Sequence, residues 1–129
     1  MTDYVRFRTA AGEYAIAVSA AREVRQNKGL RPLPSPLPGV AGLTDREGEP
    51  LSVLDALGAG DNQMLVLEVD GQLFGLLVAE VRGVASIDER LVSPPPPGQD
   101  ADVIRGAVTD GEEMVLIVDE AALLARFRP

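Results

Sequence analysis

The chain has no cysteine, no histidine and no tryptophan. Without cysteine there is no disulfide framework, and no thiolate is present for metal binding or nucleophilic attack. Without histidine, a serine nucleophile lacks its usual neighbouring base, so the ordinary hydrolase triads and phosphotransfer through histidine are excluded. Lys28 is the single lysine, and the net charge is −8. A surface of that sign repels a phosphate backbone and offers no basic stripe, so neither nucleic acid nor an anionic membrane is an expected partner. No apolar run approaches the roughly 18 residues of a membrane span, and the start MTDYVRFRTA lacks a basic segment leading into an apolar one. The expected setting is cytoplasmic, without membrane insertion, and the expected partners are proteins or small molecules. There is no GxxxxGK[ST] and no GxGxxG, so phosphate cradling has no support.

What is present is the balance of a folded domain. Hydrophobic residues make up 46% and charged residues 25%, with aromatics at 4%, so Val, Leu, Ile and Ala must fill the core. A chain of 129 residues can bury one real core, as a single body or as two lobes. Apolar runs of strand length recur between turn signals: YVRF (4–7), EYAIAV (13–18), PLSVLD (50–55), MLVLEV (64–69), QLFGLLV (72–78) and MVLIVD (114–119). The chain therefore reads as mostly β. Asp70-Gly71 lies between two such runs and predicts a tight hairpin turn, and Asp110-Gly111 precedes another.

The order of features repeats. Tyr14-Ala15-Ile16-Ala17-Val18 aligns with Phe74-Gly75-Leu76-Leu77-Val78 as an aromatic, a small residue and three apolar ones. A proline-rich stretch follows each, LRPLPSPLPGV (30–40) and LVSPPPPGQD (91–100). Gly42 then precedes Asp55 by thirteen residues, and Gly106 precedes Asp119 by thirteen. A two-copy repeat of this length is too long for a solenoid unit and points to two similar β lobes, each naturally closed as a small barrel. The proline stretches suit extended crossovers that cannot add to a sheet, although polyproline II can also be docked by aromatic grooves. Helix is scarce. SAAREVR (19–25) is expected to form a turn or two capped by Ser19, and DEAALLARFR (119–128) a short helix with Leu123, Leu124 and Phe127 on one face and Arg126 and Arg128 at its end.

Few groups suggest chemistry. Glu47 with Glu49, and Glu112 with Glu113, are carboxylate pairs of a kind that usually serves solubility on turns rather than acid and base catalysis. DADVIRGAVTDG (100–111) begins like a calcium loop but has Ile104 at its fifth position and Gly111 at its twelfth, so the match fails. The segment GLTDREGE (42–49) reads either as a solvated loop or as a recognition surface.

Taken in order, the YAIAV strand, RPLPSPLPGVAGL, SVLD, VDGQLFGLLVAEV with its following VASI, the proline cluster and VIRGAVTDGEEMVLIVDEAALL resemble the CheW-like domain of bacterial chemosensory systems, from about Tyr4 to Leu124. The resemblance implies a mostly β, CheW-like fold of two intertwined SH3-like five-stranded barrel lobes with short helices. It implies one domain over 1–129, with lobe-level repeats at about 4–58 and 64–124. It also implies a free-standing, non-enzymatic adaptor without cofactor or metal, coupling the cytoplasmic tip of a methyl-accepting chemoreceptor to the regulatory domain of a CheA-type histidine kinase. The contact residues it implies are Arg22, Glu23 and Arg25 in one segment, with Val40, Gly42, Asp45, Arg46, Glu47, Gly48 and Glu49 in the other. Where the family usually carries Asn-Leu-Arg-Gly this chain has Asp45-Arg46-Glu47-Gly48, so that Glu47 reverses the charge of the family's arginine. Ser52 stands where proline is common, Ala79 where aspartate is common, and the link 56–63 is short. The alternative reading is a regulatory protein of the same fold that binds a single array component.

Overall fold

The computed structural model describes residues 1–58, 60, 62–99 and 102–127. Asp100 of the calcium-like segment, Arg128 of the expected helix, and Ala59 and Asp61 of the short link lie outside the described residues.

The expected apolar runs form strands: β1 (Thr2–Thr9), β2 (Gly12–Ala17), β5 (Glu49–Leu54), β6 (Gln63–Val69), β7 (Gln72–Val78) and β10 (Glu113–Val118). Four more are less apolar: β3 (Ala21–Gln26), β4 (Val40–Arg46), β8 (Glu80–Ile87) and β9 (Ile104–Asp110). Two five-stranded sheets result, ordered β8-β1-β2-β10-β9 and β3-β6-β7-β5-β4. Adding five to each strand number of the first sheet, modulo ten, generates the second. Each half-chain thus places its first hairpin at the centre of one sheet and its other three strands in the opposite sheet. Every lobe draws strands from both halves.

The symmetry reaches individual residues. In the first sheet β10 runs parallel to β2 with Ile117 opposite Ala15, and in the second β5 runs parallel to β7 with Val53 opposite Gly75. The proline crossovers each touch a sheet at a single bridge, Arg31 with Leu43 and Ser93 with Ala107. The preceding residue explains the repeated glycine. A Cβ on Gly42 would lie 2.1 Å from the carbonyl oxygen of Arg31, and one on Gly106 would lie 2.5 Å from a Val92 methyl and 2.8 Å from the Ser93 carbonyl. Only a residue without Cβ lets the crossover approach so closely. The paired aspartates also match: the amide of Asp55 donates to Gly39 at 3.0 Å, and that of Asp119 to Val103 at 2.8 Å.

The largest apolar cluster lies between the sheets. Phe7, Tyr14 and Ile16 from one sheet meet Leu65, Leu67, Phe74 and Leu76 from the other, with Phe7 and Tyr14 stacked 5.5 Å apart. Helix α1 (Glu120–Phe127) caps this cluster with Leu123 and Leu124, as its one-sided apolar pattern predicts, and Asp119 accepts from the amide of Ala122 at 3.0 Å as its cap. Smaller clusters fill each barrel: Tyr4, Ala15, Ile87, Val115 and Ile117 in the first lobe, and Leu51, Val53, Met64, Val66 and Leu77 in the second.

The expected helix over 19–25 does not form. Val18–Ala20 makes one 3-10 turn in which no side chain caps the end, and Ala21–Gln26 pairs antiparallel with β6. A seven-residue helix has little intrinsic stability, whereas the outer edge of β6 offers a ladder of backbone hydrogen bonds. The segment 42–49 is likewise not a loop. Residues 42–46 belong to β4, Glu49 opens β5, and Glu47-Gly48 is a two-residue turn between them.

Candidate functional site

The turn between β4 and β5 has Glu47 at φ 53° and Gly48 at φ 85°, the left-handed pair of a type I′ hairpin. Asp70-Gly71 makes the same turn between β6 and β7, at φ 51° and 78°. Asp suits the first position because its short polar side chain tolerates that conformation, whereas Glu has no such advantage. The carboxylate of Asp45 accepts the Gly48 amide at 3.3 Å and helps close the turn. A shallow groove of about 340 Å³ separates the two turn tips, with Glu47, Glu49 and Pro50 on one wall and Gly71, Gln72 and Leu73 on the other.

β3 and β4 are the two edge strands of their sheet, and side chains rather than a backbone ladder join them. Arg46 Nε donates to Glu23 at 2.7 Å, and Arg25 reaches across to the backbone carbonyl of Asp45 at 3.3 Å. The Thr44 hydroxyl donates to the Lys28 carbonyl at 3.2 Å just beyond. The Glu23 carboxylate, with a smaller contribution from Glu47, raises the Arg46 pKa above its ordinary value. Both side chains are partly solvated, so water screens the pair, which serves to fix the edge of the barrel more than to stabilise it.

Glu23, Arg25, Asp45 and Arg46, far apart in sequence, thus meet along one seam, with Glu47 and Gly48 at its tip. Glu47 is 83% exposed in its side chain, and its ionic contact with Arg46 is long at 3.8 Å. Arg22 points elsewhere, donating to Glu68 at 3.0 Å and to the Ser19 and Ala21 carbonyls. Val40 and Gly42 sit at the other end of β4. Val40 packs on the central core and Gly42 lies buried beneath the proline crossover, so both support the seam from within. Sequence reasoning missed Glu68, Gln72 and Leu73. The Asp70-Gly71 turn was legible, but nothing local placed it beside Glu47.

The first lobe is organised differently at the corresponding places. Arg6, 9% exposed, takes the position that Val66 holds in the second lobe. It reaches Asp110 at 2.8 Å, Glu113 at 3.3 Å and Glu13 at 3.4 Å, and Arg82 also binds Glu13 at 3.0 Å. At the other end of that barrel the Tyr4 hydroxyl bonds Glu89 and Arg105, with the Arg105 guanidinium 5.8 Å from the ring centre. Burial, reinforced by Glu89, pushes the Tyr4 pKa up to about 12, and the Tyr4 hydrogen bond lowers that of Glu89. Among the described residues, no group of His, Cys, Asp and Glu could hold a metal ion, and no helix is long and apolar enough to cross a membrane.

The structure thus holds two five-stranded sheets, each built from both halves of the chain, with a polar seam between the edge strands of one of them. The model of the CheW-like domain matches residues 3–128, and the chain belongs to that family. Among solved structures it is similar to the scaffolding protein TtCheW of Thermoanaerobacter tengcongensis, at 25% identity and a TM-score of 0.79, covering 92% of this chain and 88% of that one. No curated protein matches the chain.

Proposed function

We propose that the chain is a non-enzymatic adaptor of a chemosensory array, coupling the cytoplasmic tip of a methyl-accepting chemoreceptor to the regulatory domain of a CheA-type histidine kinase in the cytoplasm. Membership of the CheW-like family supports a scaffold or adaptor role in chemotaxis. The observation that carries the finer reading is the seam where Glu23, Arg25, Asp45 and Arg46 converge beneath the exposed Glu47-Gly48 tip. A rigid barrel presents these charges on hydrogen-bonded strands, so little conformational freedom is lost on docking. Charged rim groups of this kind select the partner and set encounter rates, and apolar surface near them supplies affinity.

The test is calorimetric titration of the protein, and of Glu47→Arg, into the kinase regulatory domain and separately into a receptor cytoplasmic fragment. Saturable binding to both, with at least one affinity changed about tenfold or more by Glu47→Arg, is the expected result. Unchanged affinities for a folded variant would remove the turn from the contact surface. A second reading, a regulator that binds one array component alone, is favoured by the acidic tip. Arg46 is tied to Glu23 on the barrel edge and does not replace the positive charge that Glu47 lacks. Binding to the kinase domain or to the receptor fragment, but not to both, would select it.

A further inference from the structure

The cations of this chain are unevenly neutralised. Arg25, Lys28 and Arg31 take part in none of the ion pairs formed among the described residues. They meet β4 at three consecutive residues: Arg25 donates to the Asp45 carbonyl at 3.3 Å, the Lys28 carbonyl accepts the Thr44 hydroxyl at 3.2 Å, and the Arg31 backbone exchanges two hydrogen bonds with Leu43. Lys28 and Arg31 are exposed. Beside them lies a groove of about 350 Å³, lined by Arg31, Pro32 and Pro34 of the crossover and by Leu43 and Pro50 of the β4–β5 hairpin, with Leu43 38% exposed. Asp45, the one carboxylate in its lining, accepts the Gly48 amide. The first lobe lacks this arrangement. Ser93 stands at the equivalent of Arg31, the equivalent groove has no charged residue in its lining, and Arg90, which precedes it in the chain, is bound to Asp88 at 2.9 Å.

We propose that this strip of the second lobe docks a short acidic segment of a protein partner, with its carboxylates on Lys28 and Arg31 and an apolar side chain in the groove beside them. Three observations choose that occupant. The cations have no carboxylate of their own, so charge complementarity calls for an anion. That anion is short, because a chain of net charge −8 repels a long polyanion or an anionic bilayer over the rest of its surface, whereas screening over about 10 Å leaves the local attraction intact. The proline and leucine walls give an apolar side chain something to bury against, which a free inorganic anion does not use. The paired bonds between Arg31 and Leu43 hold the crossover on β4, and its prolines restrict the backbone, so the groove loses little freedom on docking. This goes beyond the coupling reading, which rests on the Glu47 tip and uses neither Lys28 nor Arg31.

The test is nitrogen-15 NMR titration of the full chain with a capped Glu-Glu-Leu-Pro-Leu-Glu-Glu peptide. Saturable shifts at the amides of residues 28–31, 33 and 43–45 are expected, with a dissociation constant on the order of millimolar for so small a probe. Replacing its glutamates by glutamine, or its leucines by serine, should weaken binding at least about threefold, the first through lost charge and the second through lost burial. Lys28→Glu and Arg31→Glu should each weaken it at least about fivefold, whereas Arg90→Glu, the same change of charge in the first lobe, should change it less than about twofold. Equal losses in all three variants would mean that net charge alone governs the response, and would overturn the proposal. So would equal binding of the glutamine peptide, or shifts scattered away from these residues. Inorganic phosphate or phosphatidylglycerol vesicles acting at the same amides as strongly as the peptide would replace the protein segment by a simple anion or a membrane. Shifts at these amides that grow with protein concentration alone would make a second copy the occupant, and would equally refute it.

Discussion

Replacing Gly42 by alanine should be among the most damaging small changes in the molecule. The new Cβ would lie 2.1 Å from the Arg31 carbonyl oxygen and 2.8 Å from its carbon, both backbone atoms that no side-chain rotation can move. Relief requires the proline crossover to lift from β4, which breaks the paired bonds from Arg31 to Leu43 at 2.8 Å and from Leu43 to Arg31 at 2.9 Å. Overpacking of this kind costs about 1–3 kcal/mol and each of the two lost backbone bonds about 0.5–1.5 kcal/mol, so the total is about 2–6 kcal/mol. With a urea dependence of about 2 kcal/mol per molar, the unfolding midpoint should fall by about 1–3 M. Gly106→Ala should cost less, because its backbone obstacle, the Ser93 carbonyl oxygen at 2.8 Å, lies farther off than the 2.1 Å contact at Gly42. Gly48→Ala meets nothing within 4 Å and should cost only the left-handed backbone penalty of about 1 kcal/mol. Urea unfolding of the three variants reads the ranking directly. A Gly42→Ala midpoint within 0.2 M of the parent, a difference of about 0.5 kcal/mol, would refute the argument that close approach of the crossover selects this glycine. So would a larger loss at Gly106.

Alkaline titration should show delayed tyrosine ionisation. The chain has two tyrosines, and burial raises both pKa values, that of Tyr4 to about 12. Because the folded value of Tyr4 lies above the ordinary value of 10.0, its contribution to stability is fully present below pH 10 and is lost as the pH rises towards 12. Absorbance at 295 nm should therefore rise at higher pH than for free tyrosine while the protein is folded, with the Tyr4 step at about pH 12, and a full two-tyrosine step centred at pH 10 would contradict the burial. Glu47→Asn should raise stability by about 0.5 kcal/mol, because Asn accepts the left-handed first position of a type I′ turn more readily than Glu. A lower urea midpoint for that variant would show that Glu47 makes a stabilising contact which outweighs its turn conformation.

Local signals carried much of this fold. The Asp70-Gly71 hairpin, the six apolar runs and the one-sided helix over Glu120–Phe127 could be read directly, because each is set by residues close in sequence. The thirteen-residue spacing from Gly42 to Asp55 and from Gly106 to Asp119 was also visible, and its cause lies in matching contacts with distant crossovers. β3 was misread as helix because AREVRQ alternates neither in polarity nor in burial, and its conformation is decided by the free edge of β6 some forty residues later. Residues 42–46 looked like loop for a related reason. Charges at Asp45 and Arg46 suit an edge strand, where outward carboxylates and guanidinium groups also discourage pairing with another chain. The seam itself was only half legible. Its residues were singled out, but the bond between Arg46 and Glu23 depends on a closure between strands that are not neighbours in sequence.

The exchange of strands between halves bears on how such a molecule can act as a scaffold. Because each central hairpin is flanked on both sides by strands from the other half, neither sheet survives removal of either half, and the main core draws on both sheets. The lobes are therefore expected to unfold as one cooperative unit rather than as two beads on a linker. Duplication then gives two positions with the same backbone, and single side chains make them chemically different: Arg25 against Ala85, Arg46 against Asp110, Val66 against Arg6. One seam is closed by Arg25 and presents a charged turn, whereas at the other Arg6 reaches Asp110 on β9. A rigid body with two equivalent but unlike faces can hold two different partners at a fixed separation and angle. That geometry is what a coupling protein needs, and it is also what substitutions at a few seam positions could retune without disturbing the core.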